Sequence, residues 1–180
     1  MSNKIKEGQH IPPFQARNIH GIDVAIPDGA HWTHVQFRRF AGCPVCNLHL
    51  QSFIARHDEI ASAGIREVVL FHSAAAELLP YQGRFPFDVV GDPKKALYKR
   101  FGVSSSMSAL LSPKAFMASL RGNLRKDKPE LNMMKMPEGG ILGLPADFLI
   151  GPDGVVKASH YGTHAYDQWT VDEVISLTRT

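Results

Sequence analysis

The chain has 180 residues, 44% of them hydrophobic and 21% charged, with a formal net charge of +3, the profile of one globular domain large enough to bury a core. That charge is too small and too dispersed for a nucleic-acid binder or a membrane-surface protein, and no Lys/Arg block stands out. Nine His are scattered without HExxH or similar ligand spacing, and the only two cysteines, Cys43 and Cys46, sit three apart.

The opening stretch MSNKIKEGQHIPPF has neither the apolar run nor the cleavage pattern of an export signal, and no segment is long enough to cross a bilayer. The expectation is a cytoplasmic protein without a membrane partner, read as one unit over residues 1–180. Phe14–Ile19 and Asp23–Ile26 pivot on Gly21 as a short hairpin. Thr33–Arg38 alternates polar and apolar residues, a strand signal. After Gly42 the period changes. Pro44 suits the first helical position, and Cys46, Leu50, Phe53, Ile54, His57, Ile60 and Ala61 form one face of a helix closed by Gly64.

Glu67–His72 reads as a central strand, Ser73–Leu79 as a short helix stopped by Pro80, and Phe85–Val90 as another strand. Asp92 and Pro93 start a helix over Lys94–Phe101 that Gly102 ends. An insertion follows over roughly residues 103–140. Ser112-Pro113 opens a helix there with Phe116, Met117, Leu120 and Leu124 on one side. This insertion holds five of the six methionines, and between Ser112 and Met136 it has six Lys/Arg against two Asp/Glu. An inserted helix with a solvated basic face is the plain reading; a Met-rich lid or a homodimer surface is the sharper one. Ala146–Ile150 and Val155–His160 flank the turn Gly151-Pro-Asp-Gly154, and Asp167–Thr178 is a terminal helix. Strand–helix alternation closed by a hairpin and helix predicts an α/β fold with one mixed central sheet between helices.

Cys43-Pro44-Val45-Cys46 falls where a strand hands over to a long helix. Free N–H groups and the positive end of the helix dipole favour a thiolate there, and in a reducing compartment a lone CxxC is more often catalytic or metal-binding than a staple. A three-residue step puts Cys46 one turn along on the same face, so Cys43 is expected to be the exposed attacking thiol and Cys46 the sheltered resolving one. Zinc would need four ligands, and there is no second CxxC; an inert pair at a helix start is the remaining alternative. No cofactor or metal is expected. Far along the chain, Pro145 stands directly before a strand, where it removes a ladder donor. A cis Leu144–Pro145 bond would turn this backbone toward the thiols and leave groups open for an extended substrate. Leu144 and Pro145, with Pro44, are therefore the candidate substrate-binding residues.

Three blocks carry a family resemblance: Phe37-Arg-Arg-Phe-Ala-Gly-Cys-Pro-Val-Cys-Asn-Leu-His-Leu50, Phe85-Pro-Phe-Asp-Val-Val-Gly-Asp-Pro93 running on to Tyr98–Val103, and Leu144-Pro-Ala-Asp-Phe-Leu-Ile-Gly-Pro-Asp-Gly-Val-Val156. In this order they resemble the thioredoxin superfamily, and within it the peroxiredoxin-like (AhpC/TSA-related) proteins that carry a CxxC. The resemblance implies a thioredoxin-like fold. Peroxiredoxins use PxxxTxxC with a later Arg; aligning Cys46 with their peroxidatic cysteine puts Arg39 at the Pro, Cys43 at the Thr and Pro145 at the Arg. All three helpers differ, which brings the site nearer a thioredoxin-like dithiol, with Arg39 as candidate thiolate stabiliser. The leading expectation is a thiol-disulfide oxidoreductase or antioxidant protein that cycles Cys43 and Cys46, acting on a protein disulfide or small oxidant and reduced by a cellular thiol system. The alternatives are a peroxiredoxin-type peroxidase, with Cys46 peroxidatic and Cys43 resolving, and a redox-responsive binding protein without turnover.

Overall fold

The computed structural model describes residues 4–103 and 138–179. The helix expected from Ser112, and the Met-rich stretch around it, lie outside these residues. Strands β1 (Phe14–Arg17) and β2 (Asp23–Ile26) form the expected antiparallel hairpin. Its turn holds Gly21 at φ +82°, a left-handed conformation that glycine adopts without strain.

The central sheet has five strands: β3 (Trp32–Phe37), β4 (Ile65–Phe71), β5 (Asp88–Gly91), β6 (Ala146–Ile150) and β7 (Val156–Tyr161). Their order is β5-β4-β3-β6-β7, with β3, β4 and β5 parallel and β6 and β7 antiparallel to their neighbours. This is the mixed sheet expected from the alternation. The hairpin between β6 and β7 closes where Gly154 donates to the Gly151 carbonyl, 2.9 Å.

Both faces of the sheet are covered. On one, Val35, Phe37, Val68, Leu70, Phe148 and Ile150 pack with Val24, Ile26 and Phe101, the last just past helix α4 (Ala96–Arg100). The other face carries the neighbouring strand positions. Helices α1 (Pro44–Ala55), α2 (His57–Ser62) and α5 (Val171–Leu177) cover it through Leu50, Phe53, Ile60 and Val174.

Three helices depart from expectation. The long helix after Cys46 is two, because Arg56 leaves helical geometry at φ −113° and ψ 23°. The rotation breaks the apolar stripe, so Phe53 and Ile60 are buried but Ala61 is exposed. Pro80 does not stop its helix: α3 runs Ala75–Gln82. The proline gives up its own N–H bond and crowds the Ala76 carbonyl, yet the helix runs on to Gln82, and its start is fixed by the Glu77 carboxylate, which accepts from Ala74 N at 3.0 Å. The last helix begins at Val171 rather than Asp167, capped by Thr170 and Glu173.

Because both faces are covered, the polar side of β3 is not solvated. His34, Gln36 and Arg38 are each fully buried, with Glu67 of β4 and Asp147 of β6. His34 Nδ1 bonds the Glu67 carboxylate at 2.8 Å and its Nε2 lies 3.3 Å from Asp147. Arg38 donates to Asp147 at 2.8 Å, and Gln36 donates to Glu67. Two cations therefore face two carboxylates. Burial opposes charge on His34, yet Glu67 and Asp147 raise its pKa to about 9. Burial likewise opposes the Asp147 charge, but Arg38 and His34 hold that carboxyl well below the usual range.

Candidate active site

β3 delivers the site. After Phe37 the chain still follows β4, since Arg38 N donates to the Leu70 carbonyl at 2.8 Å and the Arg39 carbonyl accepts from His72 N at 3.0 Å. It then turns sharply. Cys43 N donates to Phe40 O at 3.2 Å, and the Ala41 N–H is taken by Ser73 Oγ at 3.0 Å. Gly42 makes the turn at φ +62°, and a Cβ there would stand 3.1 Å from the Tyr81 ring. The positive φ favours glycine there, and a side chain would also press on the Tyr81 ring. Cys43 is the N-cap of α1, with Pro44 in the first turn as expected and no side-chain cap bond.

The two thiols are free and touch: Cys46 Sγ donates to Cys43 Sγ at 2.9 Å. Arg39 Nη1 approaches Cys43 Sγ at 3.9 Å. Burial opposes ionisation of Cys43, but the Cys46 hydrogen bond, the Arg39 charge and the N–H groups of Cys46 and Val45 outweigh it and lower the thiol to about 7. Cys46 is pushed the other way, well above the ordinary thiol range, by burial, by the proton it holds toward Cys43 and by the Cys43 charge. The two shifts favour the proton on Cys46 and the negative charge on Cys43.

Two expectations are corrected. Cys43 is not exposed: its residue exposure is 1%, against 0% for Cys46. The turn packs inward, placing both sulfurs in one cluster with Ala41, Val45 and Leu78, against which Phe40 and Tyr81 lie. Depth does not distinguish the two thiols; their hydrogen bond and Arg39 do. The Leu144–Pro145 bond is trans, since the cis peptide among the described residues is Ile26–Pro27. Pro145 continues the β6 ladder, its carbonyl accepting from Gly162 N at 2.9 Å, so that group is not open for a substrate strand. Leu144 and Pro145 instead line a cavity of about 270 Å³ with Lys4, Val103, Tyr161, Gly162 and Thr163, which neither cysteine lines.

Of the sequence candidates, then, Cys43, Cys46, Pro44 and Arg39 come together, while Leu144 and Pro145, which follow the Gly143 packed near Arg39, line a cavity that neither cysteine lines. The sequence reading missed Ser73 and His72, which hold the turn from the end of β4. Their signal was positional, because the residues just past the strand parallel to β3 must lie beside its exit. Among the described residues, no group of three or more His, Cys, Asp or Glu is disposed to hold a metal ion, and no helix is long and apolar enough to cross a membrane.

Residues 49–164 match the sequence profile of the AhpC/TSA antioxidant enzymes. The match begins just past Cys46. A search of curated proteins returns no match. Among solved structures the chain is similar to the peroxidoxin BcpB of Mycobacterium tuberculosis, at 15% identity over 97% of each chain and a TM-score of 0.69. It is also similar to the reduced 2-Cys peroxiredoxin of Plasmodium vivax, at 14% identity over 97% of this chain and 81% of that one, with a TM-score of 0.68. A Chlorobium tepidum structure titled as a thiol:disulfide interchange protein, DsbE, aligns over 98% of this chain and 100% of its own at 16% identity and a TM-score of 0.63. At these identities the likeness establishes the thioredoxin-like fold shared by peroxiredoxins and interchange proteins.

Proposed function

The chain belongs to the AhpC/TSA antioxidant enzyme family, an oxidoreductase family acting on peroxide or disulfide substrates, and we propose that it works by cycling Cys43 and Cys46 between dithiol and disulfide, with Cys43 attacking. The observation that carries this reading is the 2.9 Å thiol pair in which one sulfur is acidified and its partner keeps the proton.

With a disulfide substrate, the Cys43 thiolate bonds one sulfur and expels the other as a thiolate. Cys46 then attacks Cys43, the second substrate sulfur leaves, and the Cys46 proton passes to a leaving thiolate. With a peroxide, Cys43 takes one oxygen and becomes the sulfenic acid while water or an alcohol leaves; condensation with Cys46 releases water and forms the same disulfide. Each route takes two electrons from the dithiol, and a thiol reductant returns them. A reducing compartment such as the cytoplasm would supply that reductant.

The family's description as antioxidant enzymes favours peroxide as oxidant, and the second reading joins to it the reverse assignment, with Cys46 peroxidatic and Cys43 resolving. Steady-state reduction of peroxide and of a protein disulfide by wild type, Cys43→Ser and Cys46→Ser separates the two. We expect Cys43→Ser to abolish the first oxidation, and Cys46→Ser to trap Cys43 as a mixed disulfide or sulfenic acid. Loss of that first step in Cys46→Ser alone would reverse the assignment, and no turnover with either substrate in wild type would leave a redox-responsive binding protein.

A further inference from the structure

The segment Glu138–Gly143 passes the exit of β3 as a strap, and its contacts converge on Arg39. Arg39 Nη2 donates to the Ile141 carbonyl at 2.9 Å while Nη1 of the same guanidinium faces Cys43 Sγ at 3.9 Å. Arg39 is 5% exposed, and its Nε has no hydrogen-bond partner among the described residues. The fork is therefore aimed by Ile141 on one side and the Phe40 ring, 5.3 Å away, on the other.

What holds Ile141 in place is His72. A Cβ on Gly139 would fall 1.8 Å from the His72 carbonyl oxygen, so the strap lies on that backbone closer than any side chain allows. At the other end, a Cβ on Gly143 would lie 2.9 Å from His72 Nε2 and 3.9 Å from Arg39 Cγ. Gly143 is thus pinched between the imidazole and the arginine stem. Two polar ties secure the strap further: Glu138 N donates to Glu77 Oε1 at 3.2 Å, and Lys95 Nζ donates to the Leu142 carbonyl at 3.2 Å. The imidazole is fully buried and edge-on to Tyr98. Burial and the Lys95 charge lower it to about 4, so it is a neutral wedge at neutral pH that does not repel Arg39.

We propose that His72 and Gly143 are positioning residues for the nucleophile: closed on each other, they seat the strap so that the Ile141 carbonyl aims Arg39 at Cys43 Sγ. The inference rests on Cys43 as the attacking thiol. The ionisable groups around that sulfur are Cys46 and Arg39, with Tyr81 packed on the same cluster, Tyr98 near enough to feel the Cys46 charge, and His72 and Lys95 toward the strap.

The test is the pH profile of Cys43 alkylation by iodoacetamide in reduced protein, read by site-resolved mass spectrometry. The variants are Gly143→Ala, Arg39→Met and the double variant. Gly143→Ala should move the Cys43 midpoint up toward the ordinary thiol value of about 8.5, lowering reactivity at pH 7 by up to about 15-fold. Arg39→Met should do the same, and the double variant should go no further, because the glycine acts only through the arginine. His72→Ala, which opens space instead of closing it, should shift the midpoint in the same direction and carries the test if Gly143→Ala does not fold. Unchanged midpoints in the foldable variants, or a shift that persists undiminished on the Arg39→Met background, would overturn the proposal while leaving Cys43 as nucleophile. A wild type in which Cys46 reacts first would remove that nucleophile assignment and the inference with it.

Discussion

Two buried polar clusters hang on one stretch of chain, residues 34–39, and they are built on opposite plans. Beneath α1, His34 and Arg38 face Glu67 and Asp147, so each charge meets an opposite charge at 2.8–3.3 Å. Past the end of the strand, one guanidinium faces two sulfurs that share a proton. The first arrangement has nothing left to give: moving any proton would strand a charge where water cannot reach it. The second is unfinished, since the charge favoured on Cys43 is met by one guanidinium, two backbone N–H groups and a proton held on Cys46. Compensation of buried charge yields structure, and incomplete compensation yields a reactive thiol.

This contrast predicts where substitutions act. Asp147→Ala leaves Arg38 and His34 buried without their shared carboxylate, and should cost about 3–5 kcal/mol, measured by urea unfolding. The Cys43 titration midpoint should barely move, because Arg39 and not Arg38 faces the sulfur. A large shift in that midpoint would show the two clusters to be one.

The charged layer also sets a pH dependence. His34 binds its proton more tightly when folded, so its stabilising contribution is complete below about pH 6.5 and is lost as pH rises through about 9. Asp147 acts in the opposite range, its contribution complete above about pH 4 and lost as pH falls below that. Cys43, lowered to about 7, instead adds stability between that value and the ordinary thiol range. Unfolding should therefore be followed in Cys43→Ser, where a decline on the order of 3 kcal/mol between pH 6.5 and 9 belongs to His34. A flat profile there contradicts a charged His34.

A smaller effect is expected at the thiol turn. Ser73→Ala strips the buried Ala41 N–H of its acceptor and should cost about 1–3 kcal/mol. Unlike Asp147→Ala, it should raise the Cys43 midpoint, because that N–H sets the turn presenting Cys43 to α1. Stability loss with an unmoved midpoint would make Ser73 a fold residue only.

The local pattern of the chain revealed a good deal of this. Gly21, Pro44, Gly102 and Gly151–Gly154 marked turns and helix ends by their own backbone preferences, and alternation located β3. The CxxC at a strand–helix junction and the charge of Arg39 beside it were also legible. The charged layer was not, because polar positions alternating along a strand look solvated until the second layer of helices is in place. Glu67 and Asp147 reach His34 only through strand pairing. Burial of Cys43 was hidden for the same reason: it depends on Leu78 and Tyr81 arriving from α3. Expecting a cis Pro145 transferred a pairing habit of CxxC proteins to a residue whose carbonyl is already committed to Gly162. At the helix break Arg56 reaches Glu59 and, from the last helix, Asp172, a tertiary contact that periodicity does not encode.

The central claim is that Cys43, not Cys46, carries the charge of the shared-proton pair. Limiting iodoacetamide on the reduced wild-type protein, with each sulfur assigned by site-resolved mass spectrometry across a pH series, tests it most directly. The structure predicts that Cys43 is labelled first, with a single midpoint near 7, while Cys46 stays unreactive well past the ordinary thiol range. Faster labelling of Cys46, or a Cys43 midpoint at or above about 8.5, would contradict it.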